Sequence, residues 1–531
     1  MAAITGAVAA PAGAVRRGLG DWTVPIATGV ALAIITAVPY LYGYLVQPHG
    51  QVFMGFFYLG DDANTYLAKM RQGWEGAWAW SNRYTTEESP SAYLFMFWIL
   101  LGHIAALLHL PLIVVFHLAR VAAAFALMGA AWLCISHFIQ DRGARLFAFF
   151  FLAFGLGMGY VIQALGHPVV FGNRTDTLDW RMPELTAFYS ILALPHFAWS
   201  GVFAALGIPL TLKAIERGDL RLGALAGLAW LGQASIHPQM PILMGGAALA
   251  ATLIRRPPAR QGWMAGALAF AIPAPYILYS YFAFVGNPEV QRWTFHSKNA
   301  LPPEGFSFLF AIAPQLLLAL VGVPGALRRR SREDLFLIAW LVLLATILYL
   351  PNPAGDLRRR FLDALYIPLV ILAARGMFEV ILPRLRSARA RRLIPFTYVA
   401  FAAMGSAFLV IAPMLVATEP QYVMSQPYYD GLVWLGDQPQ GRVLSMPGIG
   451  LYVPAYSPDT VYVGHYDETF DYYTKTQTAL DLLTGKSDLV AFDQQNHIRY
   501  VIWTADLKSP PPSGLGPPAY DTPDFKIWKL Y

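Results

Sequence analysis

The chain has 531 residues, 56% of them hydrophobic and only 13% charged, with a formal net charge of +6. Soluble domains carry about 25% charged residues, so this composition excludes an ordinary soluble domain and points to the membrane. The basic residues sit in short clusters between apolar runs, the pattern of loops retained in the cytoplasm, and not on a basic face that would bind nucleic acid.

The single cysteine, Cys134, lies in an apolar run and excludes an internal disulfide and a Cys-rich metal site. Nothing before Val24 reads as a cleavable signal. The first apolar stretch, from about Val24 to Val46, is long enough to span.

A spanning helix needs roughly 20 apolar residues. On that criterion the chain carries about eleven spans, near 23–46, 112–139, 146–166, 187–212, 222–236, 239–254, 262–283, 306–326, 335–350, 361–382 and 393–415. The basic clusters Arg16/Arg17, Arg142/Arg145, Lys213/Arg217/Arg221, Arg255/Arg256/Arg260, Arg328 to Arg332 and Arg384 to Arg392 then fall on one side, the cytoplasm by the positive-inside rule. The loops 47–111, 167–186, 284–305 and 351–360 fall on the other.

The stretch 92–110 is apolar, but it holds His103 and His109 and is bracketed by Pro90 and Pro111. It reads as an interfacial helix or hairpin on the outer surface. The pair 222–236 and 239–254 is short and is broken by His237-Pro238. The Gly-rich FGLGMGY at 154–160 falls within a span and reads as helix packing.

After Val416 the character changes. Short β-like runs at 442–446, 460–463, 500–504 and 525–530, with a helix over 467–483, predict a small α/β domain outside the membrane. The expected architecture is therefore an α-helical polytopic membrane module over 1–416, followed by an extracytoplasmic α/β domain over 417–531.

The candidate chemistry lies on the outer loops. Gly60-Asp61-Asp62 opens a run of good helix formers, and one aspartate fits a helix N-cap. A second, adjacent carboxylate repels the first and needs another reason. The loop 167–186 adds Asp176, Asp179 and Glu184, interleaved with Arg174 and Arg181, and His196 follows inside the fourth span. Solvated loop acids and a structural histidine are the plain alternatives.

Arg358, Arg359 and Arg360 precede the tenth span on the outer side, against the positive-inside rule. Arginine donates bidentate hydrogen bonds to phosphate, which suits a lipid headgroup. Arg83 and Lys298 are further outer cations. Acids and a phosphate clamp on one face suggest sugar transfer from a polyprenyl-phosphate donor. The arginines neutralise the leaving phosphate, and an aspartate takes the acceptor hydroxyl's proton.

Asp61-Asp62-Ala63-Asn64-Thr65-Tyr66, running to Gly73 and Gly76, resembles the first outer loop of the GT-C superfamily of membrane glycosyltransferases. That superfamily includes protein O-mannosyltransferases, lipid A aminoarabinose transferases and oligosaccharyltransferases. The resemblance implies a catalytic base at Asp61, with Asp62 close behind, and acids of a second outer loop drawn from Asp176, Asp179 and Glu184. It also implies lipid-phosphate arginines at Arg359-Arg360-Phe361, and Mg or Mn in some relatives. The acceptor stays open among lipid, glycan and protein. The alternative is a transporter or flippase of a lipid-linked or anionic solute, or a scaffold whose aromatic, acidic segment 461–473 binds a partner.

Overall fold

The first apolar run folds as one helix, Thr23–Val46 (α1), over the range its composition sets. The protein, as a computed structural model, describes residues 19–170, 172–255, 258–285, 302–351 and 355–531. Arg16, Arg17, Arg256 and Lys298 lie outside the described residues.

In chain order the helices that build the molecule begin with Gly60–Trp74 (α2), Met96–Leu108 (α3), Leu112–Phe138 (α4), Arg142–Phe154 (α5) and Gly159–Ala164 (α6). They continue with Ala187–Ala193 (α7), Pro195–Arg217 (α8), Leu220–Ala234 (α9), Met240–Ile254 (α10), Arg260–Ala271 (α11) and Ala274–Val285 (α12). Gly305–Arg329 (α13), Arg332–Tyr349 (α14), Tyr366–Arg375 (α15) and Ala388–Leu415 (α16) complete the bundle.

Among the described residues seven stretches are long and apolar enough to cross a membrane: α1, α4, α8, Arg260–Phe284, α13, Tyr366–Arg384 and α16. The chain is a multi-pass helical membrane protein. The remaining expected spans, 146–166, 222–236, 239–254 and 335–350, are helical but shorter or interrupted. The stretch 92–110 forms the 13-residue α3, too short to span. It lies directly on α2: a Cβ on Gly73 would sit 2.1 Å from the Ile99 carbonyl, and one on Gly102 would sit 1.9 Å from the Met70 carbonyl. Only glycine lets the two backbones meet there.

Two expected spans contain breaks, and the chain satisfies the freed backbone groups internally, as an apolar environment demands. The span over 187–212 breaks at Leu194, whose extended backbone separates α7 from α8, and Pro195 opens the new helix. Carbonyls in the last turn of α7 lose their helical donors. Ile191 O accepts from the buried guanidinium of Arg120 (3.0 Å), and Leu192 O accepts from the Tyr40 hydroxyl (2.6 Å).

The span over 146–166 breaks at Gly155–Met158, so the Gly-rich run is unwound, yet it does pack on a helix: a Cβ at Gly157 would fall 2.2 Å from the Ala311 carbonyl of α13. Pro314 cannot donate to Phe310 within α13, and the idle Phe310 carbonyl accepts from Met158 N (3.1 Å). Leu156 N donates to Ala402 O (2.9 Å).

The basic clusters gather at one end. Arg255 donates to Arg330 O (2.8 Å) and Arg375 to Phe138 O (3.2 Å). The other end of α4, about 40 Å away for a helix of this length, meets the first loop, where His117 Nε2 bonds Gly55 O (3.1 Å).

Residues after α16 return to that loop. Strand Val423–Ser425 pairs antiparallel with Gln51–Phe53. A five-stranded mixed sheet then follows in the order Thr460–Val461, Arg442–Leu444, Ile498–Thr504, Phe525–Lys529, Tyr520–Asp521. Alternation along Ile498–Thr504 decides its two faces. Tyr500 and Ile502 pack with Met54, Ala68 and Tyr84 of the first loop. Val501 and Trp503 pack with Leu482 and Leu483 of helix Tyr472–Leu483.

Candidate active site

Asp61 and Asp62 do not cap α2. Leu59 holds the cap position in a left-handed conformation (φ 50°), and no side chain closes the turn. The two acids stand in the first helical turn, where the helix dipole favours negative charge. Asp61 is exposed, and the side chain of Asp62 is 37% exposed. Both line a cleft of about 240 Å³ with Phe56, Phe57, Gln421, Tyr422 and Tyr466. One wall is thus the first loop, and the other comes from beyond the last spanning helix.

Burial raises the Asp62 carboxyl above the ordinary carboxylate range, and Asp61 adds to the rise. His465, Arg360 and Arg359 oppose it. The acid therefore lies within electrostatic reach of Arg359 and Arg360.

His465 Nδ1 accepts from Asp467 N (3.3 Å), which leaves the ring proton on Nε2, 3.8 Å from Asp62 Oδ1. That is too long for a hydrogen bond. Burial lowers the His465 pKa to about 4, so the ring is neutral near pH 7 and the contact is not an ion pair there.

Two turns further along α2, buried Lys69 meets Glu468 (2.5 Å) and lies over the Phe95 and Tyr66 rings. Lys69, His465 and Glu468 were missed from sequence. The only signal was the aromatic, acidic character of 461–473, because the pairing spans 399 positions.

The arginine triplet lies on the 3-10 stretch Gly355–Leu362. Its members differ. Arg358 Nη1 donates to Leu348 O (3.3 Å). Arg359 Nε bonds Glu184 Oε1 (2.9 Å), and the Glu184 side chain is only 4% exposed. Arg360 is exposed, and no carboxylate among the described residues lies within salt-bridge distance of it. Its charge acts on Asp62, Tyr66 and His196. His196 packs its ring against Tyr66 (4.9 Å) and Trp98 (5.2 Å). The structure thus brings Asp61, Asp62, Glu184, His196, Arg359 and Arg360 to one end of the bundle.

Three expected residues sit elsewhere. Arg83 bonds Glu75 (2.5 Å), which also holds Arg71 (2.9 Å), so it serves a surface ion pair and not the cleft. Asp176 pairs with Arg181 on the exposed loop (2.6 Å). Asp179 is fully buried and supports the unwound segment: its Oδ2 accepts from Gly159 N (3.0 Å), and a Cβ at Gly159 would fall 2.3 Å from Oδ1. Lys298 lies outside the described residues.

Burial raises the Asp179 pKa from 3.8 to about 7. The native state thus keeps a proton that the unfolded chain releases, so this group's contribution to stability falls as pH rises from about 4 through about 7. Thermal unfolding of the detergent-solubilised protein across that range is expected to show this decline, and Asp179→Asn to flatten it. An unchanged slope in the variant would count against burial as the cause.

Among the described residues no three His, Cys, Asp or Glu side chains converge to hold a metal ion. Among the described residues the carboxylates lining the cleft are Asp61 and Asp62, fewer than the about six oxygen ligands that Mg prefers.

No family model matches this sequence, and no curated protein matches it. Solved structures do. The archaeal oligosaccharyltransferase AglB from Archaeoglobus fulgidus, in complex with an inhibitory peptide and a dolichol-phosphate, is similar at 12% identity with a TM-score of 0.53. The match covers 92% of this chain and 70% of that one. The mycobacterial arabinofuranosyltransferase AftD is similar at 16% identity with a TM-score of 0.52, over 94% of this chain and 40% of its own, so this chain spans less than half of AftD.

This chain has the GT-C fold. ArnT from Cupriavidus metallidurans is similar over 95% of this chain and 98% of its own, at 13% identity and a TM-score of 0.47. In this fold the first loop, Gln421, Tyr422 and Tyr466 line one cleft, Arg359 and Arg360 act on its Asp62 electrostatically, and the basic helix ends lie opposite.

Proposed function

We propose that this protein is an inverting glycosyltransferase. It moves a sugar from a polyprenyl-phosphate donor to an acceptor hydroxyl at the extracytoplasmic face of the inner or plasma membrane. The observation that carries the reading is the placement of Asp62 within electrostatic reach of Arg359 and Arg360 at an open cleft. The dolichol-phosphate bound by the similar AglB supports a lipid-phosphate donor.

In the proposed reaction the acceptor oxygen attacks the anomeric carbon from the face opposite the phosphate. The carbon–oxygen bond to phosphate breaks, and the polyprenyl phosphate leaves with the electron pair. Arg360 neutralises the charge that develops on it. An aspartate of the pair takes the acceptor's proton, Asp61 by the superfamily pattern and Asp62 by its place beside the arginines. One displacement inverts the anomeric configuration. The acceptor is a lipid, a glycan or a protein, and Mg or Mn, where one takes part, would draw most of its ligands from water and substrate.

The test uses the full chain in nanodiscs with polyprenyl-phosphate-linked sugars. The expected result is cleavage of the sugar–phosphate bond and a product of inverted anomeric configuration. Movement of the intact lipid-linked sugar across a liposome membrane, with no bond broken, would replace the enzyme by a flippase.

A further inference from the structure

Directly behind the arginines lies a polar knot that the proposed chemistry does not use. Asp363 is 2% exposed. Its Oδ2 bonds His237 Nδ1 (2.9 Å) and also accepts from the Ser200 hydroxyl. Gln233 Nε2 reaches the same hydroxyl (3.3 Å). Buried polar groups inside a membrane bundle are costly and are retained where they serve a site. Three elements far apart in sequence, α8, the α9–α10 turn and the arginine stretch, are tied here by one carboxylate.

The knot grips the arginine stretch where its backbone is least comfortable. Ala364, next to Asp363, is buried and left-handed (φ 60°), a conformation that a residue with a Cβ rarely adopts unless its surroundings impose it. From the same α9–α10 turn, Gln239 Nε2 donates to the Arg360 carbonyl (2.8 Å). The backbone of Arg360 is therefore fixed from the turn on one side and from Asp363 three residues later, and among the described residues no carboxylate pairs with its guanidinium.

We propose that Asp363 and His237 are positioning residues. They hold a strained turn that presents Arg360 to the phosphate of a lipid ligand. This inference rests on the donor chemistry proposed above. A preformed receptor of this kind saves the ligand the cost of ordering the loop.

The probe is polyprenyl phosphate without sugar, with polyprenol as the uncharged control, binding to the full chain in nanodiscs. Asp363→Ala is expected to weaken polyprenyl phosphate binding about 10-fold, the usual scale for removing an outer support of a binding group, and to leave polyprenol binding unchanged. His237→Asn keeps an N–H donor for Asp363 and is expected to bind like the native protein, whereas His237→Leu is expected to behave like Asp363→Ala. Adding Ala364→Gly to Asp363→Ala removes the Cβ strain and is expected to recover part of the loss.

Native affinity in Asp363→Ala would overturn the positioning role. So would equal loss of both ligands, which marks a purely structural knot, or no recovery with Ala364→Gly. Absence of polyprenyl phosphate binding by the native protein would instead defeat the donor assignment itself.

Discussion

Asp61→Asn and Asp62→Asn are each expected to lower sugar transfer by about 10²–10⁴-fold, the range that a positioned general base supplies, without lowering the melting temperature. The two effects separate because of how the acids are held. Asp61 is exposed and caps nothing, so its amide variant loses no structural contact. Asp62 sits where burial disfavours its charge, so a neutral isostere does not weaken the folded state through that charge.

Since burial raises the Asp62 pKa, kcat/KM of the native protein is expected to fall as pH drops through that raised value, where the carboxylate gains a proton. Assays of the purified variants with a polyprenyl-phosphate sugar, alongside thermal unfolding, check both parts. Near-native turnover in both variants would remove the pair from the mechanism.

The arginines are expected to divide cleanly. Arg360→Ala removes an exposed cation that no carboxylate among the described residues neutralises. A hydrogen bond to a charged group is worth about 1.5–3 kcal/mol, so donor affinity should fall about 10- to 100-fold with stability unchanged. Arg359→Ala leaves Glu184, 4% exposed, without its partner. Breaking a buried pair costs about 3–5 kcal/mol, and the partial exposure of Arg359 places this one near the lower end. The melting temperature should drop, and Arg359→Ala with Glu184→Gln should regain most of it. Direct binding of polyprenyl phosphate and differential scanning fluorimetry separate the two effects; equal behaviour of the two single variants would contradict the division.

Much of this architecture was legible because bilayer thickness sets a coarse ruler. A long apolar run bounded by polar residues gave α1 and α4 to within a residue, and short β-like runs located most of the distal sheet. The breaks at Leu194 and Gly155–Met158 were not foreseen, since each depends on partners from other helices, such as the carbonyl that Pro314 leaves idle. Asp61 and Asp62 were visible as an adjacent pair of acids, and Arg358 to Arg360 as cations against the expected positive-inside pattern.

What local sequence could not give was their division of labour. Arg83 and Arg359 both pair with carboxylates, whereas Arg360 has none within salt-bridge distance among the described residues. Asp179 looks like any loop acid until Gly159 N–H is placed against it. His465 approaches Asp62, and Glu468 meets Lys69, only through long-range docking of the distal sheet.

That docking has a consequence for biogenesis. Lys69 emerges from the ribosome 399 residues before Glu468, its buried counter-ion, and strand Gln51–Phe53 must wait for Val423–Ser425. Until those partners are made, the nascent chain therefore carries an ammonium group without its counter-ion and a strand edge without its pair. The cleft is completed only after the last spanning helix has been threaded, because Gln421, Tyr422 and Tyr466 line it from beyond that helix.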